Sequence, residues 1–141
     1  MQANPKKRIG KYIIFLGEKL GFGAFSEVFK GIDEDTKEEV AVKVVNKAKI
    51  IEDEYTKNAF YSEIQINKKL KSVNIIKFYD VHETANNFYI VLELAQGGTL
   101  RSTLRKMGRL DEKRTMKYLI QILNGFGELA KNGITHRDLK P

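Results

Sequence analysis

The chain has 141 residues, 42% of them hydrophobic and 30% charged, with two prolines and no cysteine. That is enough for one domain with a core, and it excludes collagen-like and low-complexity classes, a disulfide framework and thiolate metal sites. No apolar run approaches the roughly 20 residues of a membrane span. The net charge is +7. Its basic residues run along the chain among acids, as in Asp33-Glu34-Asp35-Thr36-Lys37-Glu38-Glu39, without an interleaved aromatic row, so a nucleic-acid-binding function is not expected. The absence of cysteine and of a secretory-type leader makes a cytoplasmic protein the expectation.

In chain order, residues 1–10 are polar and basic and read as a loose N-terminal arm. From Lys11 to Asn46, three apolar runs (Tyr12–Leu16, Val28–Ile32 and Val40–Val45) are separated by a glycine loop at 21–23 and an acidic turn at 33–39. Three antiparallel strands joined by two hairpins is the expected arrangement. From about Glu52 to Lys71, Phe60, Ile64, Ile66 and Leu70 recur near helical spacing. Two more strands are expected at about Ile76–His82 and Phe88–Leu94, with a turn over Thr84–Asn87. After Gly97-Gly98 come a short helix near 100–107, ending at Gly108, and a longer one over Glu112–Lys131. Asp111 is the expected N-cap of the longer helix and Asn132-Gly133 its end. Its apolar stripe is Met116, Leu119, Ile120, Leu123, Phe126 and Ala130.

Four stretches carry chemistry. Gly21-Phe22-Gly23-Ala24-Phe25-Ser26-Glu27-Val28 offers backbone N–H groups at short range, as a triphosphate requires, because glycine has no Cβ in the way. The third glycine of the G-x-G-x-x-G form is Ser26, a small replacement, and strands rather than a helix follow, so this is no Rossmann fingerprint. Lys43 lies within the β-branched strand Ala41–Val45, and alternation puts it on one face with Ala41 and Val45. A lysine among apolar neighbours needs an anionic partner. Glu63, on the helix face of Phe60, Ile66 and Leu70, is the natural one, on the expectation that this face is buried. In His136-Arg137-Asp138-Leu139-Lys140-Pro141, Asp138 can accept or orient a hydroxyl proton and Lys140 can neutralise charge on a phosphoryl group.

In this order, these motifs resemble the front half of a protein kinase domain, over nearly all of residues 11–141. The resemblance implies an α+β fold: a five-stranded antiparallel N-lobe sheet with one inserted helix over 11–95, then the first helices of a helical C-lobe over 96–141. It implies ATP and Mg2+ as cofactors and a protein substrate. Leu20, Gly21, Phe22, Gly23, Ala24, Phe25, Ser26 and Val28 would cover the nucleotide, and Val28 and Ala41 would sandwich adenine. Lys43 and Glu63 would set the phosphates. Leu92 would be the gatekeeper, with Glu93 to Ala95 as the hinge. Asp138 would serve the acceptor hydroxyl beside Lys140, and His136 would be structural. Lys140 after Asp138 resembles serine/threonine rather than tyrosine kinases. Gly23–Gly31, Val42–Lys47 and Tyr79-Asp80 resemble the Unc-51-like, autophagy-initiating kinases, and calcium/calmodulin-type kinases share much of this wording.

Two departures follow from the resemblance. Asn67 stands four residues after Glu63, where the family places an apolar residue, and a buried amide there would need hydrogen-bond partners. The family's metal-binding Asn, five residues after Asp138, and its Asp-Phe-Gly segment lie beyond Pro141. No metal ligand is therefore expected within the chain, and the chain as given is expected to be an inactive front portion of a kinase. The alternative is a non-catalytic scaffold that binds nucleotide or a partner, the latter through the exposed 116–130 helix face.

Overall fold

A computed structural model describes residues 5–23, 25–137 and 139–140. Along the chain lie β1 (Lys6–Ile9), β2 (Tyr12–Phe22), β3 (Ser26–Asp33), β4 (Glu39–Asn46), α1 (Lys47–Ile51), α2 (Glu54–Lys69), β5 (Phe78–Glu83), β6 (Asn87–Glu93), α3 (Leu100–Met107) and α4 (Glu112–Lys131). They divide into two compact units. One comprises residues 1–69 and 78–94, the other residues 70–77 and 95–141.

The first unit is built on one antiparallel sheet of order β1-β2-β3-β4-β6-β5. Alternation along β4 gives it two apolar faces. Val40 and Val42 join Tyr12, Ile14, Phe29, Tyr89 and Val91 in one buried cluster. On the other face, Val45 joins Ile50, Phe60, Ile64, Phe88 and Ile90, so α1 and α2 cover that side. Phe60 and Phe88 stack with ring centroids 4.8 Å apart.

The first cluster is enclosed because the sheet curls. Tyr12 on β2 meets His82 on β5 edge-on at 5.7 Å, although these strands are far apart in sheet order. The curl leaves no room for a side chain at two glycines. A Cβ on Gly31 would lie 2.8 Å from the Ile13 carbonyl oxygen, and Gly10, at φ +56°, sits 2.7 Å from His82 Cε1 by the same measure. Lys11 and Asp33 clamp the start of β2 to the end of β3 at 2.8 Å. The Lys11 ammonium holds the buried Asp33 carboxyl below the usual carboxylate range, helped by the Asp35 and Thr36 N–H groups and opposed by burial.

The sheet has six strands where five were expected, and the sixth falls in the presumed N-terminal arm. Lys6-Lys7-Arg8-Ile9 reads as solvated tail because its alternation is hidden by charge. Lys7 lays its stem inward, its ammonium 5.0 Å from the centre of the Tyr89 ring and donating to the Tyr89 hydroxyl at 2.6 Å. Burial alone would push the Tyr89 phenol up, but the bonds from Lys7, Thr84 and Asn87 outweigh it and leave the pKa below its ordinary value.

The helix expected from about Glu52 to Lys71 is α2, and an additional short helix, α1, precedes it. Asn46 caps α1 by accepting from the Ala48 N–H. Asp53 then starts α2, its carboxylate accepting from the Thr56 N–H at 2.8 Å. Asn67 is half-exposed, not buried. Among the described residues, the buried side-chain polar atom lacking a hydrogen bond is His82 Nε2 instead, which lies 2.9 Å from Asp80 Oδ2 without bonding geometry.

In the second unit, α3 and α4 have the expected bounds. Thr99 Oγ1 accepts from the Ser102 N–H and Asp111 Oδ1 from the Arg114 N–H, each capping its helix. The α4 stripe Met116, Leu119, Ile120 and Leu123 is exposed, whereas Gly125 and Leu129 are buried. No helix among the described residues is long and apolar enough to cross a membrane.

Candidate functional site

The site is laid out by strand register. Gly21 pairs with Val28, Val28 with Lys43, and Lys43 with Ile90. Directly paired residues share a face, so these four form a row across β2, β3, β4 and β6. Two strand spacings, roughly 10 Å, separate Gly21 from Lys43. Two residues along β4, Ala41 pairs with Lys30 on one side and Leu92 on the other, in a parallel row on the same face. Ala41 is buried, while Val28 and Leu92 are half-buried.

The hairpin above this row is closed by the Gly23 N–H, which donates to the Ser26 carbonyl at 2.7 Å. Gly21 is the informative glycine. Its φ is not positive and nothing lies within 4 Å of an added Cβ. Neither turn geometry nor packing demands glycine there, and without a side chain its backbone is left uncovered on that face. Register shifts between Ile14 and Lys19, and again before Gly21, set the hairpin tip apart from the regular ladder. Leu20, Phe22 and Phe25 are exposed around the tip, Phe22 to 84%. Ala24 lies outside the described residues.

Lys43 meets its expected partner: its Nζ is 3.0 Å from Glu63 Oε1. The expected burial of Glu63 is not observed. The Lys43 side chain is 28% exposed and that of Glu63 50%. The buried stripe of α2 runs Phe60–Ile64, an i,i+4 step, and Glu63 sits at its margin. Phasing the stripe through 60, 63, 66 and 70 put the acid one position too far inward. The pair is therefore a half-open contact from helix to sheet.

Glu93 ends β6 opposite Val40 and is exposed, as is Ala95, whose carbonyl accepts from the Gly98 N–H at 3.3 Å. Near the end of the chain, the His136 ring meets Phe126 of α4 edge-on at 6.2 Å. Arg137 has φ 62°, in the left-handed region that costs a non-glycine residue about 1 kcal/mol or more. Leu139 and Lys140 are exposed. Asp138, the expected hydroxyl-facing carboxylate, lies outside the described residues. Among those residues, no group of three or more His, Asp or Glu could hold a metal ion.

One feature of the second unit escaped sequence reasoning. Thr99, Leu100, Thr103, Tyr118 and Ile122 line a cavity of about 320 Å³ between the start of α3 and the middle of α4. A local charge count would have drawn attention to this region, since residues 100–117 hold seven basic and two acidic residues.

The protein kinase domain family matches residues 15–141. The hormonally up-regulated neu tumor-associated kinase homolog A of Xenopus laevis is 39% identical over 134 residues, covering 95% of this chain and 19% of that protein. The serine/threonine-protein kinase atg1 of Dictyostelium discoideum is 38% identical over 140 residues, covering 96% of this chain and 20% of that protein. The CBL-interacting protein kinase 33 of Oryza sativa is 35% identical over 136 residues, covering 96% and 29%. The chain thus spans about a fifth to under a third of the length of these relatives.

Proposed function

The chain belongs to the protein kinase family, of the serine/threonine type by resemblance, and we propose that it supplies the nucleotide-facing part of an ATP-dependent enzyme. That enzyme, cytoplasmic itself, transfers the γ-phosphoryl group to a serine or threonine hydroxyl of a protein. The observation that carries this reading is the 3.0 Å Lys43–Glu63 pair, in register with Val28 and Gly21. A lysine in that row, steadied by a carboxylate, is a fixed positive charge beneath a strip of open backbone. Such an arrangement suits the α- and β-phosphates of a nucleotide.

The adenine ring would lie against Val28 and Ala41, with Leu92 limiting the depth of its pocket and the Glu93–Ala95 backbone meeting its edge. Asp138 would accept the hydroxyl proton as the oxygen attacks the γ-phosphorus, and Lys140 would offset the charge that develops on the transferred group. Magnesium, when bound, neutralises and aligns the phosphates. By the family motif its ligands fall at positions beyond Pro141.

The test uses the full-length protein with Mg2+, radiolabelled ATP and a peptide library containing serine, threonine and tyrosine. Label is expected on serine or threonine, falling at least about a hundredfold with Lys43→Met. No transfer, or transfer indifferent to Lys43→Met, overturns the reading. Nucleotide binding without transfer by the full-length protein would favour the non-catalytic scaffold.

A further inference from the structure

Within the hairpin stretch 20–28, the nucleotide reading gives a part to every residue except Glu27, and it gives none to Lys19 just before them. These two form an ion pair across the hairpin, from Lys19 Nζ to Glu27 Oε1. The same ammonium lies 5.9 Å from the centre of the Phe22 ring. Phe22 is exposed, so no buried cluster holds its ring in that place. An ammonium between a carboxylate and the face of a ring is attracted to both.

A bulge brings the three groups together. From the Lys19–Phe29 pair to the Gly21–Val28 pair, β2 advances two residues and β3 one, so Leu20 is an extra residue. In a regular strand, residues 19 and 22 would point to opposite faces, being an odd number apart. With Leu20 inserted they share one. Phe22 pairs with Glu27, and Glu27 is two residues from Phe29, which is buried in the first cluster. Lys19, Phe22 and Glu27 therefore stand on the face of Phe29. Gly21 and Val28 form the intervening pair and face the other way, in the row with Lys43. The ion pair thus lies on the far side of the hairpin from that row, where it does not meet a ligand held beneath the hairpin.

We propose that Lys19, Glu27 and the Phe22 ring form an outer brace that sets the pitch of the hairpin over the nucleotide, with Lys19 and Glu27 as positioning residues. The hairpin is then tied twice. At its tip the Gly23 N–H donates to the Ser26 carbonyl at 2.7 Å, and at its base the brace spans the bulge. Gly21, with its uncovered backbone, lies between the two ties. Without the base tie the bulge is a point of bending, and a tilted hairpin no longer aims its N–H groups at the phosphates. An exposed ion pair is weak, so the brace tunes nucleotide affinity and does not create it. The inference rests on the nucleotide reading and adds to it two residues that act without touching the ligand.

The test uses the full-length protein with Mg2+ and N-methylanthraniloyl-ATP, whose fluorescence reports binding, together with steady-state kinetics, urea unfolding and amide exchange of the nucleotide-free protein. Lys19→Met and Glu27→Gln are each expected to weaken binding about two- to fivefold. The KM for ATP should rise in step while kcat changes little. Exchange should quicken at the amides of residues 20–27, with the urea midpoint unchanged. The Lys19→Met/Glu27→Gln double variant should be no worse than either single one. The swap Lys19→Glu/Glu27→Lys should recover the affinity that Glu27→Lys alone loses. A wild type that binds the analogue, with single variants that bind equally well, refutes the brace alone. So does an additive double variant, a swap without recovery, or a urea midpoint that falls with the affinity. A wild type that binds no analogue refutes the nucleotide reading and the brace with it.

Discussion

Replacing Glu63 by glutamine separates two meanings of the Lys43–Glu63 pair. At 3.0 Å, with side chains 28% and 50% exposed, the ions attract through a largely aqueous medium. Coulomb attraction there is only about 1 kcal/mol, and exposed pairs measure roughly 0.2–1 kcal/mol once side-chain entropy and screening are counted. Glu63→Gln is therefore expected to cost the fold less than about 1 kcal/mol, a fall in urea midpoint of at most about 1 M. Activity is a different matter. The carboxylate aims the ammonium, and a misdirected charge in the transition state costs about ten- to a hundredfold in kcat. Lys43→Met, which removes the charge itself, is expected to cost about 100- to 1,000-fold. The assay pairs urea unfolding with steady-state kinetics on the full-length protein, including the Lys43→Met/Glu63→Gln double variant. If that variant is no worse than Lys43→Met alone, the glutamate acts through the lysine. A stability loss above about 3 kcal/mol would refute the reasoning, because it would show a buried ionic staple. Unchanged kcat with unchanged stability would remove the glutamate's role altogether.

Other expectations concern the frame that holds this pair. Gly31→Ala should destabilise by about 1–3 kcal/mol in urea unfolding, because the new Cβ would meet backbone oxygen at 2.8 Å and Val42 Cγ2 at 3.2 Å within the curled sheet. A change under about 0.5 kcal/mol would mean that the interior is looser than described. The Lys11–Asp33 clamp should be visible in pH titrations. The folded pKa of Asp33 is lowered, so its contribution is complete above about pH 4 and is lost as pH falls through the folded value. That of Lys11 is raised, so its contribution is complete below about pH 10.4 and is lost as pH rises through the folded value. Unfolding midpoints of Asp33→Asn should therefore lie below wild type near neutrality and converge with it in acid, and parallel curves would exclude the clamp. Asp111→Ala should cost about 1 kcal/mol by removing the α4 cap, with amide exchange rising first at Arg114.

What the sequence made legible was local. The bounds of α3 and α4 and their caps, Thr99 and Asp111, were set by short-range chemistry, and so was the pairing of Lys43 with Glu63, where strand alternation and a 20-residue spacing sufficed. What it hid was decided by contacts between distant segments. β1 looks like a basic tail until Tyr89 receives Lys7, 82 residues away. The phase of α2 is fixed by the packing of Phe60 and Ile64 with Phe88 and Ile90, which leaves Glu63 at the margin of the buried stripe. Asp33 read as one more acid in a surface turn, though it is 6% exposed and held by Lys11.

Strand β4 explains why the site and the core can be read apart at all. Its even-numbered residues Val40 and Val42 fill the interior of the curled sheet, and its odd-numbered residues Ala41, Lys43 and Val45 face the side covered by α2. The two glycines in neighbouring strands divide in the same way. Gly31 is required because its Cβ position is occupied by other atoms, whereas Gly21 has empty space there. The first is required by packing and the second is not, yet in sequence both are glycines close to a hairpin. Because the period is two, a single-residue slip of β4 against β3 would send Lys43 into the valine cluster and turn Val42 and Val44 toward α2. Burying that lysine unpaired would cost more than the slip could recover, so the residue that pairs with Glu63 also fixes the register of the strand that carries it.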